Sequence, residues 1–124
     1  SWNVSGATYF MSMFRACTGF NQPIGNWTTT SIFNASDMLR HCSGFDQDLS
    51  NWNVSSLRYA TSMMTDCTLS TTNYDRILSG WSPQSVQNGV SISFGNSQYS
   101  TATGAAYRST LVSKGWTITD GGSV

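Results

Sequence analysis

The chain has 124 residues, six of them basic and six acidic, and only 10% of its residues are charged. That is the length of one domain, and the charge balance excludes the basic stripe that a nucleic-acid partner or an anionic membrane surface requires. No apolar run approaches the roughly 20 residues that span a bilayer, so no membrane insertion is expected. Solubility falls to Ser, Thr and Asn, which make up roughly a third of the chain, while 13% aromatic content argues against disorder.

From the first residues the chain repeats itself. Trp2, Trp27 and Trp52 are spaced by 25, as are Met13, Met38 and Met63, and Cys17, Cys42 and Cys67. Phe20 recurs as Phe45, Gln22 as Gln47, Ile24 as Leu49 and Asn26 as Asn51. A fixed period in the range of about 20 to 50 residues signals a stacked array, and one near 25 suits a short strand plus a short helix per coil. The expected fold is therefore α/β, a leucine-rich-repeat-like solenoid. Residues 1–69 form about 2.7 coils of it, and residues 70–124 an α/β C-terminal cap within the same domain.

Each copy opens on Trp and a phrase such as Asn3-Val4-Ser5 or Asn53-Val54-Ser55. Ser5, Thr30 and Ser55 then stand where a hydroxyl caps a helix. Ala7, Phe10, Met11, Met13 and Phe14 follow at helical spacing, as do Ile32, Ala35, Met38 and Leu39, and Leu57, Ala60, Met63 and Met64. The short strand is placed at Phe20 to Ile24 and Phe45 to Leu49. Pro23 there marks an edge or corner, and Gln22 over Gln47 and Asn26 over Asn51 are expected to form amide ladders. The repeated positions Trp2, Met13, Cys17, Phe20, Trp27, Met38, Cys42, Phe45, Trp52, Met63 and Cys67 are read as core. Three thiols at one repeat position cannot all pair, and no C-x-x-C spacing suits zinc, so the cysteines are read as buried small hydrophobes.

After Leu69 the period breaks. Asn73 to Trp81 reads as a short capped helix, and Trp81 resembles the repeat Trp after a four-residue insertion. Val90 to Phe94 alternates as a half-buried strand does. Thr103 to Lys114 reads as a helix with Ala106, Tyr107, Leu111 and Val112 as its apolar stripe, closed by Gly115. Trp116 to Thr119 is a last strand. The chain starts with Ser1, in mid-repeat, and so reads as a piece of something longer. The first coil lacks a cap, so either further coils or another chain are expected to cover it.

The phrase from Met38 to Ser55, with its Cys42, Phe45, Gln47, Leu49, Asn51 and Trp52, resembles the repeat of BspA-like bacterial surface proteins and of the mycoplasma surface lipoproteins. Ile77-Leu78-Ser79-Gly80-Trp81 and Gly115-Trp116-Thr117-Ile118-Thr119-Asp120-Gly121-Gly122 are similar to the C-terminal ends of such arrays. The third copy departs from the pattern at Leu69-Ser70. The resemblance implies a leucine-rich-repeat-like module at a cell surface, secreted or on a virion, with a role in adhesion and no catalytic residues to carry over.

The residues themselves offer no catalytic constellation. His41 is the one histidine, and no G-x-S-x-G context surrounds any serine. No cofactor or metal is expected, Asn21, Asp46 and Asp48 being a sparse set for calcium. Of four Asn-x-Ser/Thr phrases, three follow from the repeat itself. An enzyme is therefore not expected. Positions that differ between copies are free of the stacking constraint, and aromatic and Arg residues anchor interfaces. Tyr9, Arg15, Phe33, Arg40, His41, Arg58 and Tyr59 are the candidate partner-binding set, facing a protein, a glycan or another copy of the chain. The alternative is a structural subunit of a fibre, appendage or virion, assembling through the uncapped first coil.

Overall fold

A computed structural model describes residues 3–124. The repeats lie side by side. The amides of Phe10, Ser12, Phe14 and Ala16 donate to the carbonyls of Asn34, Ser36, Met38 and Arg40 at 2.7–3.0 Å. One copy later, Ala35, Asp37, Leu39 and His41 donate to Tyr59, Thr61, Met63 and Thr65 at 2.8–3.0 Å. Bonds from Phe33 to Thr8 and from Arg58 to Phe33 run the other way, at 2.9 Å each. The bridges Tyr9 to Asn34 and Asn34 to Tyr59 are parallel.

The helical spacing in each copy does not make a helix. Alternate amides turn back three residues instead: Met13 to Phe10, Arg15 to Ser12 and Cys17 to Phe14. Ser12, Ala16, Asp37, His41, Ser62 and Asp66 have φ between 56° and 65°, the left-handed region that a β-turn takes at its third position. Two such residues per copy forbid continuous i→i−4 bonding. Consecutive turns still bury every third or fourth residue, so Ala35, Met38, Leu39 and Cys42 all point inward. A ribbon of turns therefore carries the same apolar period as an amphipathic helix.

The strand placed at Phe20 to Ile24 and Phe45 to Leu49 is also absent, because side chains do the inter-coil bonding there. Asn21 Oδ1 accepts from the Asp46 amide at 2.8 Å and from Gln47 Nε2 at 2.9 Å. Asp46 Oδ1 accepts from the Ser70 amide and from Asn73 Nδ2, both at 2.9 Å. These contacts replace the amide ladders expected at Gln22 and Asn26. Pro23 enters a single 3-10 turn, Ile24–Asn26, a corner where its missing N–H costs nothing. Ser5 and Ser55 cap no helix. Each donates its amide and hydroxyl to the Asn two residues before it, at 2.6–3.1 Å, an Asx turn.

Beyond the repeats come α1 (Thr71–Trp81), β1 (Ser91–Ser93), α2 (Gly104–Ser113) and β2 (Thr117–Thr119). These elements lie where the sequence places two helices and two strands. Ser70 caps α1 by accepting from the Asn73 amide at 3.2 Å. Gly80 is required inside this helix because a Cβ there would overlap the Ser50 carbonyl oxygen. Trp52 Nε1 donates to Ile24 O at 2.9 Å, 28 residues back, and Trp81 Nε1 to Leu49 O at 2.8 Å, 32 residues back. The same bond with four more residues in the loop shows Trp81 to be the repeat Trp after an insertion. β1 pairs in parallel with β2, with Ser91 opposite Thr117 and Ser93 opposite Thr119. A bridge from Ala60 to Ile92 joins β1 to the third copy. The C-terminal segment thus adds two ranks to the ladder of the repeats. The stripe expected on α2 is mostly exposed. Leu111 is buried, but Tyr107 and Val112 lie on the surface.

One core runs from Phe10 to Trp116. Met38, Met63, Cys42, Cys67, Phe45 and Trp52 are buried in it as expected, and Phe20 and Trp27 pack against it half-buried. Met13 and Cys17, expected there too, are exposed. Their coil has a neighbour on one side only among the described residues. Trp2 lies outside the described residues. The cysteines are free, and Cys42 and Cys67 donate to the carbonyls of Phe14 and Leu39 at 2.8 and 3.0 Å. Burial pushes the Cys67 thiol up to about 11, and the Cys42 thiol upward as well.

Candidate interaction surface

Period-two alternation of the ladder sends neighbouring side chains to opposite faces. Phe10, Ala35, Ala60 and Ile92 point inward. The register therefore places Tyr9, Asn34, Tyr59, Ser91 and Thr117 in one outward column, and Met11, Ser36, Thr61, Ser93 and Thr119 in a second. Five ranks span about 19 Å, taking four gaps of about 4.8 Å.

Tyr9 and Tyr59 stand in the first and third ranks, and Phe33, next to Asn34, packs between them. Phe33 lies edge-on to Tyr9 at 6.4 Å between ring centroids and to Tyr59 at 5.4 Å. Tyr9 is 66% exposed, Phe33 37% and Tyr59 46%. The Arg58 guanidinium sits 5.0 Å from the Tyr59 centroid, and its Nη1 donates to Gly89 O at 2.9 Å. Cation–π attraction and this hydrogen bond hold a long side chain in one pose.

Four of the seven candidate residues, Tyr9, Phe33, Arg58 and Tyr59, therefore meet in one patch. The other three stand six to eight residues further along the ladder. Arg15 is exposed, and Arg40 is half-buried beside Asp37 at 3.4 Å, with its Nε buried and unpartnered. His41 Nδ1 lies 2.6 Å from Asp66 Oδ2 of the next copy. The surface that holds the candidate set is a ladder face with turns at its end, not a helix face.

The last ranks are hydroxylic. Thr61, Thr65, Ser91, Asn96, Thr117 and Thr119 line a shallow groove of about 500 Å³ with Asp66 at its edge. Sequence reasoning missed these positions. Their signal is the alternation in Ser91-Ile92-Ser93 and Thr117-Ile118-Thr119, which leaves the hydroxyls facing outward. Among the described residues, no group of three His, Cys, Asp or Glu side chains converges as a metal site does. Asn21, Asp46 and Asp48 each spend an oxygen on a backbone amide.

A parallel ladder built from copies of one 25-residue phrase defines a tandem-repeat protein. The chain belongs to the family described as Mycoplasma protein of unknown function, DUF285, whose model matches residues 1–104. The match ends where α2 begins. No curated protein and no solved structure matches the chain. Among the described residues, no helix is long and apolar enough to cross a membrane.

Proposed function

We propose that this chain is a non-enzymatic binding module, a BspA-like, leucine-rich-repeat-type solenoid displayed at a bacterial surface or secreted. Residues 70–124 serve as its cap. Family membership and the side-by-side copies support the architecture. The observation that carries the function is the exposed cluster of Tyr9, Phe33 and Tyr59 with Arg58 against it. Rigid aromatic rings and a fixed Arg give large contact area at low entropic cost, and such a patch is an interface signature. The test is a panel of immobilised extracellular-matrix proteins and glycans, probed with the wild type and with a Tyr9→Ala/Tyr59→Ala variant. Binding that the variant loses at unchanged stability supports the module. Binding that survives the variant, or none at all, refutes it.

A second reading, a structural subunit, rests on Met13 and Cys17. Met13 is 40% exposed, while its counterparts Met38 and Met63 are fully buried beneath their neighbours. A coil of a second copy stacked there would bury Met13 and Cys17 as Met38 and Cys42 are buried. Light scattering over a concentration series decides it: a monomer throughout removes self-assembly, and a stable oligomer moves it ahead of the adhesin.

A further inference from the structure

We infer that the occupant of the ladder face is a neutral polysaccharide chain, lying from the aromatic ranks into the hydroxyl groove. The inference rests on the binding-module reading above and specifies its ligand. The register makes the two surfaces continuous: with Ala60 opposite Ile92, Tyr59 stands beside Ser91 and Thr61 beside Ser93.

Three properties of this face select the ligand. The first is unspent hydrogen-bonding capacity. Some hydroxyls serve the fold: Thr29 ties to Asn53, Ser97 to Leu69 and Ser100 to Asp75. The hydroxyls of Thr61, Thr65, Ser91, Thr117 and Thr119 make no bond within the protein among the described residues. Each is both donor and acceptor, which suits a ligand that is itself an array of hydroxyls.

The second is charge. The groove carries no cation, and its one carboxylate, Asp66, is held by His41 at 2.6 Å. At the other end Arg58 is committed to Gly89 O and the Tyr59 ring. An anionic chain would find no cation in the groove, and a cationic one would find a single carboxylate already engaged. The third is the aromatic end. A sugar ring presents C–H groups on one face and hydroxyls on its rim. The exposed rings of Tyr9, Phe33 and Tyr59 receive the former while the groove receives the latter.

The test is affinity electrophoresis of the 124-residue chain in gels containing a soluble neutral polysaccharide, with separate gels for hydroxyethylcellulose, laminarin, xyloglucan, galactomannan and yeast mannan. Dextran sulfate and gelatin gels run alongside. Retardation in at least one neutral gel is expected, weakened about tenfold in Thr61→Val/Thr117→Val, a change that keeps shape and β-propensity while removing two hydroxyls. Amide chemical-shift mapping of the wild type with the retarding polysaccharide's oligomer provides a readout independent of that variant's folding, and the shifts must fall on Tyr9, Tyr59, Thr61 and residues 91–93 and 117–119. Retardation by dextran sulfate or gelatin alone, no retardation, shifts elsewhere, or a folded variant that binds unchanged would each overturn the inference. Loss of matrix-protein binding in Tyr9→Ala/Tyr59→Ala with all neutral gels silent would sink the polysaccharide and leave the binding module standing.

Discussion

Asp46 offers the sharpest test of how the copies hold together. Its Oδ1 accepts from the Ser70 amide and from Asn73 Nδ2, both at 2.9 Å, tying the second copy to the start of α1. Removing the acceptor in Asp46→Ala deletes both bonds. A hydrogen bond to a charged group contributes about 1.5–3 kcal/mol, and a neutral one about 1. Ser70 is exposed and Asp46 half-buried, so water replaces part of the loss. The expected cost is about 2 kcal/mol, or about 8 °C in Tm for a chain of this size. Asp46→Asn is the informative control. One copy earlier an asparagine, Asn21, does the same work through its own Oδ1, so the amide oxygen should suffice and the cost should stay within about 0.5 kcal/mol. Urea unfolding followed by tryptophan fluorescence, with unchanged m-values, measures both. An asparagine variant as unstable as the alanine one would mean that charge, not a positioned oxygen, holds this joint. An alanine variant as stable as wild type would mean that the side-chain links between copies are idle.

Three further outcomes follow from burial and backbone geometry. A thiol reagent should label Cys17 rapidly and reach Cys42 and Cys67 only on unfolding, since the first is exposed and the others are fully buried; three fast thiols in native protein would refute the packing of both inner copies. Burial raises the Cys67 thiol from 9.0 to about 11, and the Tyr74 hydroxyl, buried and bonded to Asp120, is raised too. Both groups stay protonated in the folded state while the unfolded chain ionises. The stabilisation from Cys67, roughly 2–3 kcal/mol, is therefore whole below about pH 9 and lost as pH rises through about 11, while that from Tyr74 starts to fall only above about pH 10. Urea midpoints across that range should fall, and fall less in Cys67→Ala measured against its own neutral-pH value. Ala16 sits at φ 62° on the surface, where a Cβ costs about 1–2 kcal/mol. Ala16→Gly should stabilise by about 0.5–1 kcal/mol once the extra freedom of glycine in the unfolded chain is deducted, and a destabilised variant would contradict the left-handed turn.

The sequence by itself determined the period, the inward positions and the C-terminal elements. Identical residues 25 apart sit in equivalent surroundings where their copies are flanked on both sides, which is why Met38 and Met63, and Cys42 and Cys67, are buried alike while Met13 and Cys17 are not. Local signals sufficed for α1, with Ser70 at its cap, and for the alternation of β1 and β2. The spacing of Trp81 was likewise enough to mark the insertion.

Only the tertiary structure decided what each coil is made of. Apolar residues at i, i+3, i+4 and i+7 fit a helix and a ribbon of turns equally, because both bury every third or fourth side chain. The choice lies in where the amides of Phe10, Ser12, Phe14 and Ala16 find their acceptors, and those belong to residues 24 positions away. The candidate surface divided for the same reason. Tyr9, Phe33, Arg58 and Tyr59 meet because ladder register brings them together, while Arg15, Arg40 and His41 lie along the same strip and not beside them. Thr117 and Thr119 joined the face because β2 pairs with β1 in parallel, a long-range pairing that no local stretch of this chain encodes.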